Sequence, residues 1–325
     1  MEVLDTIIQR RKKTPVNVVF SEALDERVLR AARFLLDNQL AKPLLLGGPY
    51  EVRDFAGKIG LQTRGLKIIH PLHHPRFEEF SSQLEAAYGG SGFTLFDIRE
   101  WLRQPLVFGA MLLKNNAVDL CISGNQMPSS AVLKTALRLI GLKEKHTPLS
   151  GFYLMVGKEG KPLYALADCT VMPRPTSEQL AKIALQTADN FTRLTGHKAK
   201  VALLSFSTAG SAKHELAEKM RRAADMARQW KPELPVDGEI QFDAAVVPQV
   251  AEKKAPQSSL KGEANVFIFP SLAAADIGRK LAERLAGFRA IGAFLQGLRK
   301  PLHNLSRGCA TQTVIDVVVA GKEVR

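Results

Sequence analysis

Ser306, Arg307 and Gly308 fall in HNLSRGCA (303–310), between a proline-containing turn and a terminal run of helical period, TVIDVVVA. An arginine just before a helix start can hold a phosphate in a two-pronged fork while a neighbouring hydroxyl donates a further bond. A capped helix with a surface arginine would use the same residues. A second segment, SFSTAGSAK (205–213), follows an apolar strand-like run and precedes a helical one. The hydroxyls of Ser207, Thr208 and Ser211, the freedom of Gly210 and the amides of a helix start make an oxyanion cradle, although Ser, Thr and Gly also gather in such turns for capping alone. A third, DGEIQFDAA (237–245), presents Asp237, Glu239 and Asp243. Paired acids do acid/base work or bind metal, but they also cap helices, and capping of the helix leading into VVPQVAEKK is the expectation.

Two further groups carry less. His70, His73 and His74 in HPLHHP suggest a metal, but two prolines place them in a loop and no carboxylate or cysteine completes a ligand set. No metal site is expected. Cys309, beside Arg307, has the setting of an activated thiol, yet no histidine shares its segment, so a passive small side chain is expected.

These segments need elements to hold them. Short runs such as VNVVF, PLLLGG, LKIIH, 118–122, GFYLMV, PLYALAD, KVALLSF and ANVFIFP alternate with longer amphipathic ones such as ALDERVLRAARFLLDN and PTSEQLAKIALQTADNF. That alternation predicts an α/β protein with parallel sheets covered by helices on both faces. Pro105 should interrupt the helical stretch from Thr94 to Leu113. At 325 residues the chain exceeds what one core usually organises, so two domains are predicted, with a ligand cleft between them. The polar segment KEKHTP (143–148) is the expected linker.

Composition narrows the function. The chain is 46% hydrophobic and 24% charged, and no apolar run approaches the roughly 20 residues that span a bilayer. The N-terminus lacks the apolar core of a secretory signal and reads as an ordinary first helix. Its three cysteines are far apart, without a CxxC pair, which fits a reducing cytoplasm rather than a disulfide framework. The net charge of +13 is spread over helices that also carry acids (ERVLRAAR, EKMRRAADMARQWK), without an RNP-like or KH-like segment. No nucleic-acid or membrane partner is expected; small polyanions gain from such a field.

Taken together, LADC (166–169), SFSTAGSA (205–212), DGEIQFDAA, KAPQSSLKGEANVFIFP (254–270) and LSRGC (305–309) resemble, in order and spacing, the motifs of the phosphate acetyltransferase family. The similarity begins at FSEALDERVLRAA (20–32), and CISGNQMPSSAVLKTALRLIGL (121–142) is similar to the ethanolamine-utilisation branch. The resemblance implies two three-layer α/β/α domains of the kind seen in isocitrate and isopropylmalate dehydrogenases, with the active site in the cleft. One domain would comprise 1–146 and 294–325, the other 147–293. It implies reversible acetyl transfer between acetyl phosphate and coenzyme A, with thiolate attack in a ternary complex, phosphate as the leaving group and no tightly bound cofactor. A cytoplasmic homodimer, associated with a bacterial microcompartment, is the matching expectation.

By the same resemblance Ser306 and Arg307 bind the departing phosphate, with Ser129 assisting from the position of a family threonine. Lys134 takes the place of an arginine, keeping charge without the fork. Tyr88, Ala275, Arg279 and Asn304 stand where the family carries arginine, glycine, tyrosine and aspartate. The family's acid, seven residues after the motif serine, is here Thr313, whose hydroxyl is no useful base at neutral pH. Asp316, one helical turn on, is the candidate base. Two alternatives accompany this reading: a catalytically weakened paralogue serving as a binding or assembly protein, and a phosphate acyltransferase for longer acyl groups.

Overall fold

The structure is a computed structural model and describes residues 2–158 and 162–324, with side chains from residue 6 onward in those ranges. Among them the strands are β1 (Val16–Phe20), β2 (Ala41–Leu46), β3 (Lys67–Ile69), β4 (Leu120–Ser123), β5 (Ser150–Val156), β6 (Leu163–Ala167), β7 (Val201–Leu204), β8 (Val236–Ile240), β9 (Val266–Ile268), β10 (Arg289–Gln296) and β11 (Leu302–Asn304). They form two sheets in two units: one comprises Thr6–Gly141 and Leu298–Lys322, the other is built on Leu142–Gly297.

In the first unit the order is β11-β4-β1-β2-β3, every pair parallel. The sheet winds outward from β1 in both directions, and right-handed crossovers then place helices on both faces. Burial on both sides explains VNVVF: Val16, Val18, Val19 and Phe20 are fully buried, and Asn17, the exposed position, bonds through its amide to Asp119 Oδ2 at 2.9 Å. Asp25 starts the helix Glu26–Asp37 by accepting the amides of Arg27 and Val28. Thr94 and Asp97 form a reciprocal capping box at Leu95–Arg103, and Pro105 opens a new helix, Pro105–Lys114, so the predicted break falls where expected.

His303, on β11, is fully buried and bonds through Nε2 to the Gly321 carbonyl at 2.9 Å. Burial holds its ring at a pKa of about 4. A histidine folded with a pKa below its unfolded value stabilises fully above about 6.5 and loses that contribution as pH falls toward 4, here about 3 kcal/mol. Thermal unfolding between pH 7 and pH 4.5 is expected to be steeper in the wild type than in His303→Gln; parallel curves would refute the assignment.

The second unit departs from the all-parallel expectation. Its order is β10-β5-β6-β9-β7-β8, and β5 runs antiparallel to both β6 and β10. The connection from Val156 to Leu163 is too short for a crossover, so the two strands close as a hairpin. Three strands escape the sequence pattern: β8 carries Asp237, Gly238 and Glu239, β10 is broken by Gly292, and β11 is only three residues long. Among the described residues no helix is long and apolar enough to cross a membrane.

Candidate functional site

The carboxyl ends of β4 and β11 lie side by side in the first unit, at the edge where parallel sheets present ligand-binding loops. Leu305 N donates to Ser123 O at 2.7 Å, fastening the chain just ahead of Ser306. Gly124 follows β4 with φ +95°, and a Cβ there would stand 2.2 Å from Asn304 Oδ1 and 2.6 Å from Leu305 O. No other residue fits this approach. Beyond it the chain makes a tight turn: Cys309 N donates to Ser306 O at 3.0 Å and Gly308 N to Ser306 Oγ at 3.3 Å. The serine hydroxyl accepts here, so its own proton remains to be donated.

Arg27, which the sequence reading passed over, holds this turn in place. Its guanidinium grips Asp25 through Nε to Oδ1 at 3.0 Å and Nη2 to Oδ2 at 2.6 Å. Nη1 donates to the carbonyls of Arg307, at 2.6 Å, and Cys309, at 3.1 Å, while Nη2 also reaches Asn125 O at 2.9 Å. One planar group thereby joins the helix start, the loop after β4 and the loop after β11. Its bond to Asp25 raises its pKa further, so it stays charged. Glu22 performs the matching task for the loop after β4, accepting the amides of Asn125 (2.7 Å), Gln126 (3.0 Å) and Met127 (2.7 Å).

With its backbone pinned, Arg307 itself is exposed, and its guanidinium has no partner among the described residues. The helix Thr311–Gly321 begins just beyond it; its N-cap, Ala310, supplies no side-chain cap, and while Thr313 N donates to Ala310 O at 3.0 Å, the amides of Thr311 and Gln312 are left for an outside acceptor. Ser129, at the start of the helix Ser129–Thr135, is brought into the group: its Oγ accepts from Asn304 Nδ2 at 3.0 Å. Lys134 lies exposed on the same helix. Thr313 is in the first turn of the terminal helix; Asp316, a turn further, is buried and its Oδ1 accepts from Gln312 Nε2 at 2.9 Å. Cys309 Sγ lies 3.5 Å from Asn125 Nδ2, and burial pushes its thiol pKa up, which suits a packing role better than a nucleophile.

The segment 205–213 lies in the second unit, and its cradle is already filled. Glu239, buried on β8, accepts from Ser207 Oγ and from Gly210 N, the latter at 3.1 Å. Ser207 Oγ in turn contacts Ser211 Oγ at 3.1 Å and accepts from Ala212 N at 2.9 Å, while Thr208 N donates to Ser211 Oγ at 3.1 Å. Ala209 at φ +50° and Gly210 at φ +82° curl the loop around the carboxylate. The anion of this cradle is thus the protein's own, which corrects two expectations. Glu239 is not a helix cap, and the helix Glu215–Trp230 starts later, capped by His214 Nδ1 on Leu216 N. Asp243 does bond the first-turn amide of Ala244 at 2.8 Å, and it pairs with Lys254.

LADC contributes a second internal anion. Asp168, 2% exposed, accepts amides from Gly151 (2.9 Å), Thr170 (2.9 Å) and Val171 (3.1 Å) on Oδ1 and from Met172 (2.7 Å) on Oδ2. Arg279 is also buried, its guanidinium 4.4 Å above the Tyr153 ring and paired with Asp276 and Glu283. Two of the three histidines serve local turns: His70 and His74 accept the amides of Leu72 and Arg76, His74 packs on Phe108, and the His73 ring lies 5.5 Å from that of His70.

Comparison with known proteins gives this geometry a family. The profile described as "Phosphate acetyl/butaryl transferase" matches residues 2–321. A phosphate acetyltransferase of Thermoanaerobacterium thermosaccharolyticum is 37% identical over 324 residues, 98% of each chain. That of Bacillus subtilis is 38% identical over 318 residues, 98% of this chain and 97% of the other. Among solved structures, EutD phosphotransacetylase from Staphylococcus aureus superposes with a TM-score of 0.90 at 36% identity, covering 99% of this chain and 98% of that one. The chain belongs to the phosphate acetyl/butyryl transferase family.

Proposed function

We propose that this chain transfers acetyl reversibly between acetyl phosphate and coenzyme A, with Ser306 and Arg307 receiving the phosphate. The observation that carries the reading is the Arg307 guanidinium, free of any carboxylate among the described residues yet mounted on a backbone held by Arg27 and Leu305. A phosphate departing from the tetrahedral intermediate gains negative charge, and a guanidinium, a hydroxyl proton and open helix amides placed beforehand stabilise that charge without reorganisation. Acetyl is the proposed acyl group because the relatives matched over nearly their whole length carry that name. The likeness to EutD supports assignment to the ethanolamine-utilisation branch, and with it a homodimer working in or beside a microcompartment.

Purified protein mixed with acetyl phosphate and coenzyme A should form thioester, followed by its absorbance, at about 1 to 1000 turnovers per second. Undetectable turnover with retained coenzyme A binding would replace this reading by that of a binding paralogue; faster turnover of butyryl phosphate would change the acyl group.

Asp316 is the proposed base for the thiol proton. It lies one helical turn beyond Thr313, and its Oδ1 accepts from Gln312 Nε2 at 2.9 Å. Asp316→Asn should lower kcat about a hundredfold, and full turnover in that variant would remove Asp316 from the mechanism. Arg27 positions the turn. Arg27→Lys, which cannot reach Asp25 and three carbonyls at once, should lower kcat about ten- to a hundredfold with Tm nearly unchanged. A variant with wild-type kcat would show that the turn holds itself.

A further inference from the structure

The second unit contains a cavity of 380 Å³ against the helix Ser177–Thr195, walled by the segment 143–148 and lined among others by Lys143, Pro148, Lys182, Gln186, Asn190 and Arg193. We propose that it is a binding site for a small phosphate monoester, separate from the Ser306–Arg307 turn.

The floor is built from buried polar groups that no strand ladder or cap requires. Asn190, 1% exposed, donates through Nδ2 to Gln296 Oε1 at 2.9 Å. Gln296, itself fully buried, donates through Nε2 to Ser150 Oγ at 3.0 Å and Thr187 Oγ1 at 2.9 Å. Such a network fixes the side chains that border the cavity and gives it a rigid polar base. The wall is equally fixed. Lys143 N donates to Gly297 O at 2.9 Å, and Gly297, at φ +91°, lies so close that a Cβ would stand 2.4 Å from Pro148 O. The cavity is therefore preformed.

Its charges select the ligand. Lys182 is neutralised by Glu178 and Asp189 by Lys231, both at 2.6 Å. Arg193 bonds only to neutral acceptors, Asn190 Oδ1 at 3.4 Å and Glu323 O at 3.2 Å, and Lys143 has no carboxylate partner among the described residues. That leaves two available cations against one free carboxylate on the lining, Glu144. A guanidinium fork beside an ammonium suits a dianionic phosphoryl group. Inorganic phosphate would leave most of the volume empty, since cavities of about 300–1000 Å³ hold whole small molecules. Gln186 offers an amide to a polar body, and Leu185 and Pro148 an apolar side, which fits a nucleoside monophosphate or a sugar phosphate.

Trp230 gives a local readout, because Lys182 Nζ lies 6.0 Å from its ring and the chain's other tryptophan, Trp101, belongs to the first unit. In a Trp101→Phe background, AMP and ribose 5-phosphate are titrated against Trp230 emission, with adenosine as the uncharged control. A saturable response to at least one ester and none to adenosine is expected. Arg193→Gln and Lys143→Gln should each weaken it at least tenfold, and Arg307→Gln should leave it intact. Absence of a response at millimolar ester, an equal response to adenosine, insensitivity to both cavity variants, or loss in Arg307→Gln would each overturn the proposal. The last outcome would assign the signal to the acyl-transfer site, so failure here is distinguishable from failure of the proposed function.

Discussion

Arg307→Gln is expected to slow acetyl transfer by about a hundred- to a thousandfold, the usual cost of removing one preorganised donor from developing negative charge. The same change should hardly touch stability, because the Arg307 side chain makes no contact that the fold needs among the described residues; only its backbone carbonyl is engaged, by Arg27. That separation makes the experiment clean. Arg307→Lys keeps the charge but replaces a planar fork with a point donor and should fall between. The measurement is steady-state thioester formation beside a thermal melt. A loss of less than tenfold with an unchanged Tm would remove Arg307 from the phosphate site.

Asp168→Ala should act in the opposite way, on stability first. Four amides converge on that buried carboxylate, and charge-assisted bonds of this kind contribute about 1.5–3 kcal/mol each before relaxation. Allowing for water entering the vacated space, about 3–5 kcal/mol is expected to be lost, a drop in Tm of roughly 10 °C for a unit of this size. Asp168→Asn should cost less. Its carbonyl can keep the three bonds now made to Oδ1, while its NH₂ would oppose the Met172 amide. If Asp168→Ala melted within about 2 °C of the wild type, the four amides would have to find other partners without cost.

What the sequence made legible follows the range of the forces involved. The α/β alternation and the break at Pro105 are local, set by periodicity and by a residue that cannot continue a helix. Ser306 and Arg307 stood out because their chemistry is written in adjacent residues. Glu239 did not: it completes a loop some thirty residues earlier, and nothing in DGEIQFDAA distinguishes a cap from an internal anion. Arg27 was hidden in the same way. Within ALDERV it looks like one more surface arginine of an amphipathic helix, and its task is visible only once Asn125 and Cys309 lie beside it. The hairpin of β5 and β6 had a local signal, the short connection, which the apolar character of the strands outweighed.

The pairing of β11 with β4 joins positions roughly 180 residues apart in the chain, and this has a consequence for biosynthesis. Until residues 302–304 leave the ribosome, β4 has no neighbour on that side and Gly124 faces no Asn304 or Leu305. The Ser306–Arg307 turn and its anchor on Arg27 are therefore among the last structures a nascent chain can complete. Premature termination before this strand would release a chain able to form much of both sheets, with the edge of β4 exposed for unwanted pairing and without the Ser306–Arg307 turn.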